Sequence, residues 1–244
     1  PDGYDAPGSP DLTNPWSVVG GVIQQVQGAG GGVGAGGLVT SGGLGVLLER
    51  GGDDTYRAAR GGQGFGIAHG VGLLIDVAGD DEYTGGDWTQ GAAARHGSGA
   101  VWDGAGDDTW SPISPASSSR AGAATAGGTA LLFDAAGDDS YVLGSRSGAA
   151  SASAGRAALL DADGNDQYTL LPGATLTLGA CEAPEEHVMQ IAVFADLAGA
   201  DVFTSTPPEV GNNATWLQPG ASAPRLLCGG LDASLPGWWP AWLR

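Results

Sequence analysis

The chain has 244 residues, a formal net charge of −18 without a single lysine, and 46 glycines against 42% hydrophobic residues. That charge argues against nucleic acid and anionic membrane surfaces as partners, and no apolar run reaches the roughly 18 residues a transmembrane span needs. The glycines lack the strict period of three that collagen requires, and aliphatic and aromatic residues recur in register, which a solvated linker does not need.

Residues 1–45 form an N-terminal segment and cap. Within it, DLTNPWSVVGGVIQQVQ at 11–27 offers Thr13 or Asn14 as N-cap, Pro15 in the first turn, and Val18, Val19, Val22, Ile23 and Val26 along one face. This pattern predicts a capping helix, weakened by Gly20 and Gly21. The chain begins at Pro1, which fits a removed leader or a trimmed chain, and an exported protein is expected.

Residues 46–205 repeat one sentence: VLLERGGDDTY, LLIDVAGDDEY, AVWDGAGDDTW, LLFDAAGDDSY, LLDADGNDQY and a degenerate copy ending at Phe203. The second acid of each copy falls at Asp54, Asp81, Asp108, Asp139, Asp166 and Asp201, with spacings of 27, 27, 31, 27 and 35. A period of this size marks stacked structural units. Short aliphatic runs bounded by Gly and Asp indicate strands and tight turns, with no helical period. The expectation is an all-β parallel β-solenoid of about six coils, each with three short strands, stacked about 4.8 Å apart and wound right-handed. Tyr56, Tyr83, Trp110, Tyr141, Tyr168 and Phe203 then form an aromatic ladder. The Gly, Ala and Ser of the second half of each repeat suit a thin wall where backbones approach closely. The two long spacers predict excursions at SPISPASSSR and PGATLTLGACEAPEEH.

Residues 206–244 read as a non-repeat, Trp-rich C-terminal cap, its tryptophans covering the last coil. Cys181 and Cys228 are compatible with one disulfide.

The motif Gly-Asp-Asp-x-Tyr, and most clearly DGNDQYTL at 163–170, resembles the core of the repeats-in-toxin nonapeptide, which builds a calcium-binding parallel β-roll. The resemblance covers about nine residues of each coil and implies that Asp54, Asp81, Asp108, Asp139 and Asp166 ligate calcium, with the following aromatic pointing inward. The first acids, Asp53, Asp80, Asp107 and Asp138, and an upstream set absent from the nonapeptide, Asp76, Asp103, Asp134 and Asp161, complete the candidate ligands.

Electrostatics also favours a cation. Carboxylates stacked about 4.8 Å apart repel by roughly 1 kcal/mol per pair in water and about 3.5 kcal/mol at an effective dielectric near 20. Calcium relieves this by taking six to eight oxygens from adjacent coils. The alternative is a metal-free ladder of Asp side chains capping their own turns and facing water. Asn165 and Ala200 at the first acidic position suggest that ion sites fade toward the C-terminus. His69 and His96, 27 residues apart, are expected to stack as repeat equivalents, as are Gln63 and Gln90.

The residues two before the upstream acid (Leu47, Leu74, Val101, Leu132, Leu159, Phe194) and one before it (Leu48, Ile75, Trp102, Phe133, Leu160, Ala195) have opposite parity in a strand. Both faces of that wall are therefore apolar, which predicts association through an exposed stripe with another copy or another surface protein. The reading is a non-enzymatic secreted, periplasmic or cell-surface structural or assembly protein. The alternatives are a polysaccharide lyase or hydrolase on a β-helix, a comparison resting on fold alone, and a calcium-triggered folding module for export.

Overall fold

A computed structural model of the chain describes residues 3–6, 42–182, 188–217 and 226–233. The expected capping helix at 11–27 and the stretch 234–244 lie outside the described residues, which contain no helix.

The strands follow the repeat. After β1 (Gly3–Ala6), each copy supplies one strand before its acidic turn and one after: β2 (Leu44–Leu48) and β3 (Thr55–Arg60), then β5 (Val71–Ile75) and β6 (Glu82–Asp87). Between these pairs lies β4 (Gly66–Ile67), and β7 (Ala93–Ala94) follows. The series continues with β8 (Ser98–Asp103) and β9 (Thr109–Pro112), β10 (Thr129–Asp134) and β11 (Ser140–Leu143), and β12 (Arg156–Asp161) and β13 (Gln167–Leu170). The last described elements are β14 (Gln190–Asp196), β15 (Val202–Thr204), β16 (Thr215–Leu217) and β17 (Leu226–Asp232).

Strands before the turns build an eight-stranded sheet, β16-β17-β14-β12-β10-β8-β5-β2, and strands after them a seven-stranded one, β1-β3-β6-β9-β11-β13-β15. All pairings are parallel except β16 with β17, and equivalent residues lie over one another: Leu132 on Val101, Asp134 on Asp103, Tyr141 on Tyr168. The protein is therefore a parallel β-solenoid whose coils follow the repeat.

The third wall is thinner than a full sheet. It consists of β4 and β7 and of single bridges such as Ala124 with Ser151 and Ser151 with Cys181. Its glycines explain how it fits. A Cβ on Gly91 meets the carbonyl oxygen of Leu131 at 2.1 Å, so this wall lies with its backbone directly against the eight-stranded sheet, and φ of 76° there also favours glycine.

Inside, Leu74, Val101, Leu132, Leu159 and Phe194 oppose the aromatic ladder. Tyr56 and Tyr83 stack with centroids 4.7 Å apart, Tyr141 and Tyr168 at 4.9 Å, and Tyr168 and Phe203 at 4.9 Å. At the far end Trp216 closes the core, 5.5 Å from Phe194, and its Nε1 donates to the Leu178 carbonyl at 2.9 Å. Parallel stacking runs past residue 205, because β17 pairs with β14 and places Asp232 over Asp196. Cys181 and Cys228 form a disulfide that ties this last strand to the third wall.

Candidate metal centre

Parity in the strands decides which acids enter the interior. In β10, Ala130, Leu132 and Asp134 are buried, whereas Leu131 and Phe133 face outward. Asp139 and Tyr141, also two apart, are buried on the other side of the turn. Each coil thus brings an upstream acid and the second turn acid into the rod. Asp76, Asp103, Asp134, Asp161, Asp196 and Asp232 form one column and Asp54, Asp81, Asp108, Asp139, Asp166 and Asp201 another, none more than 6% exposed.

The fold satisfies part of each carboxylate except Asp196, neither of whose oxygens has a hydrogen-bond partner among the described residues. In the upstream column, the hydroxyls of Tyr56 and Tyr83 donate to Oδ2 of Asp76 and Asp103. Asp134 Oδ2 accepts from Trp110 Nε1 at 3.2 Å and Asp161 Oδ2 from the Tyr168 hydroxyl at 3.0 Å, while the single Tyr141 hydroxyl proton is shared between Asp134 and Asp161, at 3.0 and 2.8 Å. In the turn column, Oδ1 of each Asp accepts the backbone N–H of its counterpart in the preceding coil: Asp81 N–H to Asp108, Asp108 N–H to Asp139 and Asp139 N–H to Asp166, each at 2.7 Å.

The other oxygens are left over. Oδ1 of Asp103, Asp134, Asp161 and Asp196, and Oδ2 of Asp81, Asp108, Asp139, Asp166 and Asp201, have no hydrogen-bond partner among the described residues. A buried charged oxygen without a partner is strongly disfavoured. These carboxylates converge: Asp81–Asp103–Asp108, Asp108–Asp134–Asp139, Asp139–Asp161–Asp166 and Asp166–Asp196–Asp201 each bring three carboxylate oxygens within 4.8 Å of one another. Glu49–Asp54–Asp76 makes a fifth group at the N-terminal end. Oxygens about 2.4 Å from a common ion are at most about 4.8 Å apart, so the groups are of a size to hold a metal ion. Charge agrees, since two buried carboxylates per coil balance one divalent cation per coil.

Without a cation these groups hold protons instead. Burial, reinforced by neighbouring carboxylates, pushes Asp81 and Asp196 up to about 8 and Asp108 to about 10. Burial likewise raises Asp139 to about 11, with Asp134 and Asp161 beside it adding to the effect. Burial raises the Tyr83, Tyr141 and Tyr168 hydroxyls well above their ordinary range, so they remain donors.

The first acids of the turns stand apart. Asp53, Asp80, Asp107 and Asp138 are exposed and belong to none of the converging groups. Each lends Oδ1 to the backbone N–H of the next coil: Asp80 N–H to Asp53 at 3.2 Å, Asp107 N–H to Asp80 at 3.0 Å, Asp138 N–H to Asp107 at 2.9 Å and Asn165 N–H to Asp138 at 2.8 Å. They splice turns together, which is the metal-free role expected of turn aspartates. Asn165 Oδ1 continues this outer ladder by accepting the Ala200 N–H at 3.1 Å, so the ladder stops only at Ala200, and the inner group Asp166–Asp196–Asp201 is complete, so the expected fading toward the C-terminus does not extend to the interior.

Four column members were not among the sequence candidates. Glu49 fills the upstream place in the first coil, as its N–H bonded to the Ile75 carbonyl shows. Asp196 and Asp201 were visible as the degenerate sixth copy. Asp232 is announced only by LLCGGLD, an aliphatic strand ending in Asp without its Gly-Asp-Asp turn.

The remaining polar interior is small. Arg120 is buried, donating to Gln90 Oε1 at 2.7 Å and the Val142 carbonyl at 2.9 Å, while Gln90 and Gln63 donate to the carbonyls of Tyr83 and Tyr56 at 2.9 Å. His69 and His96 stack on the surface with centroids 5.3 Å apart, as repeat equivalents.

No family model, curated protein or solved structure matches the chain.

Proposed function

We propose that the chain is a non-enzymatic structural rod of the extracellular or cell-surface space, its coils held together by a file of calcium ions. The observation that carries this reading is the set of spare carboxylate oxygens, buried and converging once per coil. Oxygen-only groups without histidine or thiolate suit a hard cation. Calcium fits better than magnesium, because the latter dehydrates reluctantly and keeps several waters, for which a packed interior has little room. The Cys181–Cys228 disulfide supports an oxidising compartment, the same setting in which calcium is abundant.

The repeat itself supports a structural role. An enzyme gathers unlike side chains at one place, whereas here the same acids recur in every coil and buried Arg120 is engaged by Gln90 and a backbone carbonyl. The test is metal content after exhaustive dialysis against buffer, together with calorimetry in calcium, in magnesium and in chelator. The expected result is roughly one calcium per converging group and a melting temperature that rises with calcium far more than with magnesium. Protein that retains no ion and melts identically in calcium and chelator refutes the proposal.

A further inference from the structure

The outward face of the eight-stranded sheet is mostly apolar, its polar residues confined to the column of Ser98, Thr129 and Arg156 at one edge. Its outward residues form columns such as Leu73, Ala100, Leu131 and Ala158, and beside it Ile75, Trp102, Phe133 and Leu160, all half-buried at most by their own neighbours. At the N-terminal end the face opens further, with Leu44 62%, Val46 52% and Leu48 56% exposed. Across all outward positions of its parallel strands the sole charged residue is Arg156, in a chain of net charge −18. The outward column of the seven-stranded sheet is by contrast mostly polar: Thr55, Glu82, Thr109, Ser140 and Gln167, followed by exposed Val202 in the last strand.

We infer that this apolar face is a self-association surface, on which a second copy of the chain packs sheet to sheet. Seven parallel strands at about 4.8 Å and five residues at about 3.3 Å make a face of roughly 30 by 17 Å, or about 500 Å² per copy in projection. Two copies bury about 1,000 Å² before side-chain relief is counted, near the lower limit of specific interfaces. A dimer of micromolar rather than nanomolar affinity is expected.

Three features favour a copy of the same chain. The exposed turn acids Asp53, Asp80, Asp107 and Asp138 lie off this face, so two copies approach through it with the least charge repulsion. Both faces carry the same strand spacing, so ridges of one fit between ridges of the other at about 10 Å separation, as in a β-sandwich. The face also holds projections and recesses side by side, Trp102 and Phe133 beside Ala100 and Ala158, which a two-fold interface can match to each other.

The test is light scattering coupled to size exclusion, and equilibrium ultracentrifugation, on the full chain in calcium from about 1 to about 200 μM. The wild type is expected to shift from monomer to dimer over this range. Leu131→Glu combined with Phe133→Glu, both outward, is expected to weaken dimerisation at least about 100-fold by burying unpaired charge, with an unchanged far-ultraviolet dichroism spectrum. Thr55→Glu on the other sheet is the control and leaves the dimer intact. Trp102→Ala weakens the dimer without adding charge, which separates lost packing from repulsion. A wild type that stays monomeric at about 200 μM, as when residues 7–41 or a different protein cover the face, overturns the inference, as does a folded double variant that still dimerises.

Discussion

Asp107 and Asp108 are adjacent in the chain and face opposite media. Both lend one oxygen to a backbone N–H of a neighbouring coil, Asp107 to the coil after it and Asp108 to the coil before it, so each splices coils together. They differ in the second oxygen. That of Asp107 lies at the exposed turn, and that of Asp108 lies in the interior beside Asp81, Asp103, Asp134 and Asp139. The same residue type is a turn staple outside and a candidate ligand inside, and the surroundings of one unused atom make the difference.

The sharpest way to probe that contrast is to withhold every cation the inner groups could hold. Each ion present at a hundredfold excess over its dissociation constant contributes about 2.7 kcal/mol, so emptying several inner groups costs well over 5 kcal/mol. Calorimetry in chelator is expected to show a large loss of Tm, and an unchanged Tm means that the inner oxygens hold no ions.

Next in size is Asp134→Ala. It removes one carboxylate from Asp108–Asp134–Asp139 and strands the Trp110 donor, while the Tyr141 hydroxyl keeps Asp161 at 2.8 Å. Breaking such a buried arrangement costs about 3–5 kcal/mol, read from the denaturant midpoint, and lowers the bound-ion count.

A third effect concerns pH in chelator. The inner acids have folded pKa values raised above 3.8, up to about 8 for Asp81 and about 10 for Asp108, so the folded state binds more protons than the unfolded one. Their contribution is fully present below about pH 4 and is lost as pH rises through the folded values. Chelated protein is therefore expected to lose stability steadily between about pH 4 and pH 9, and calcium to flatten that slope. A denaturation series with and without calcium measures it, and stability that rises toward alkaline pH in chelator contradicts the buried column.

The smallest expected effect is Asp107→Ala. Losing one exposed splice costs about 0.5–1.5 kcal/mol and leaves the ion count unchanged. If it costs as much as Asp134→Ala, the distinction between the ladders collapses.

The solenoid was legible because the repeat fixes register: once Asp81 and Asp108 are equivalent, Tyr83 and Trp110 must stack, and their centroids are 3.8 Å apart. The inner acids were legible in the same way, since Leu132 and Asp134 share parity, as do Asp139 and Tyr141. What pattern could not separate was Asp138 from Asp139, because turn residues do not alternate as strand residues do and both read simply as acids beside glycine. The last coil was hidden for another reason. LLCGGLD pairs with β14 through backbone bonds that carry no side-chain signature, and only the Asp at its end marks the column.

Neighbouring groups overlap: Asp108, Asp139 and Asp166 each belong to two of them. Every coil consequently arrives with its own share of negative charge and its own demand for a counterion, like a bead that carries its clasp. Adding or removing a whole coil therefore changes the buried acids and the counter-charge they call for in step, whatever the number of coils.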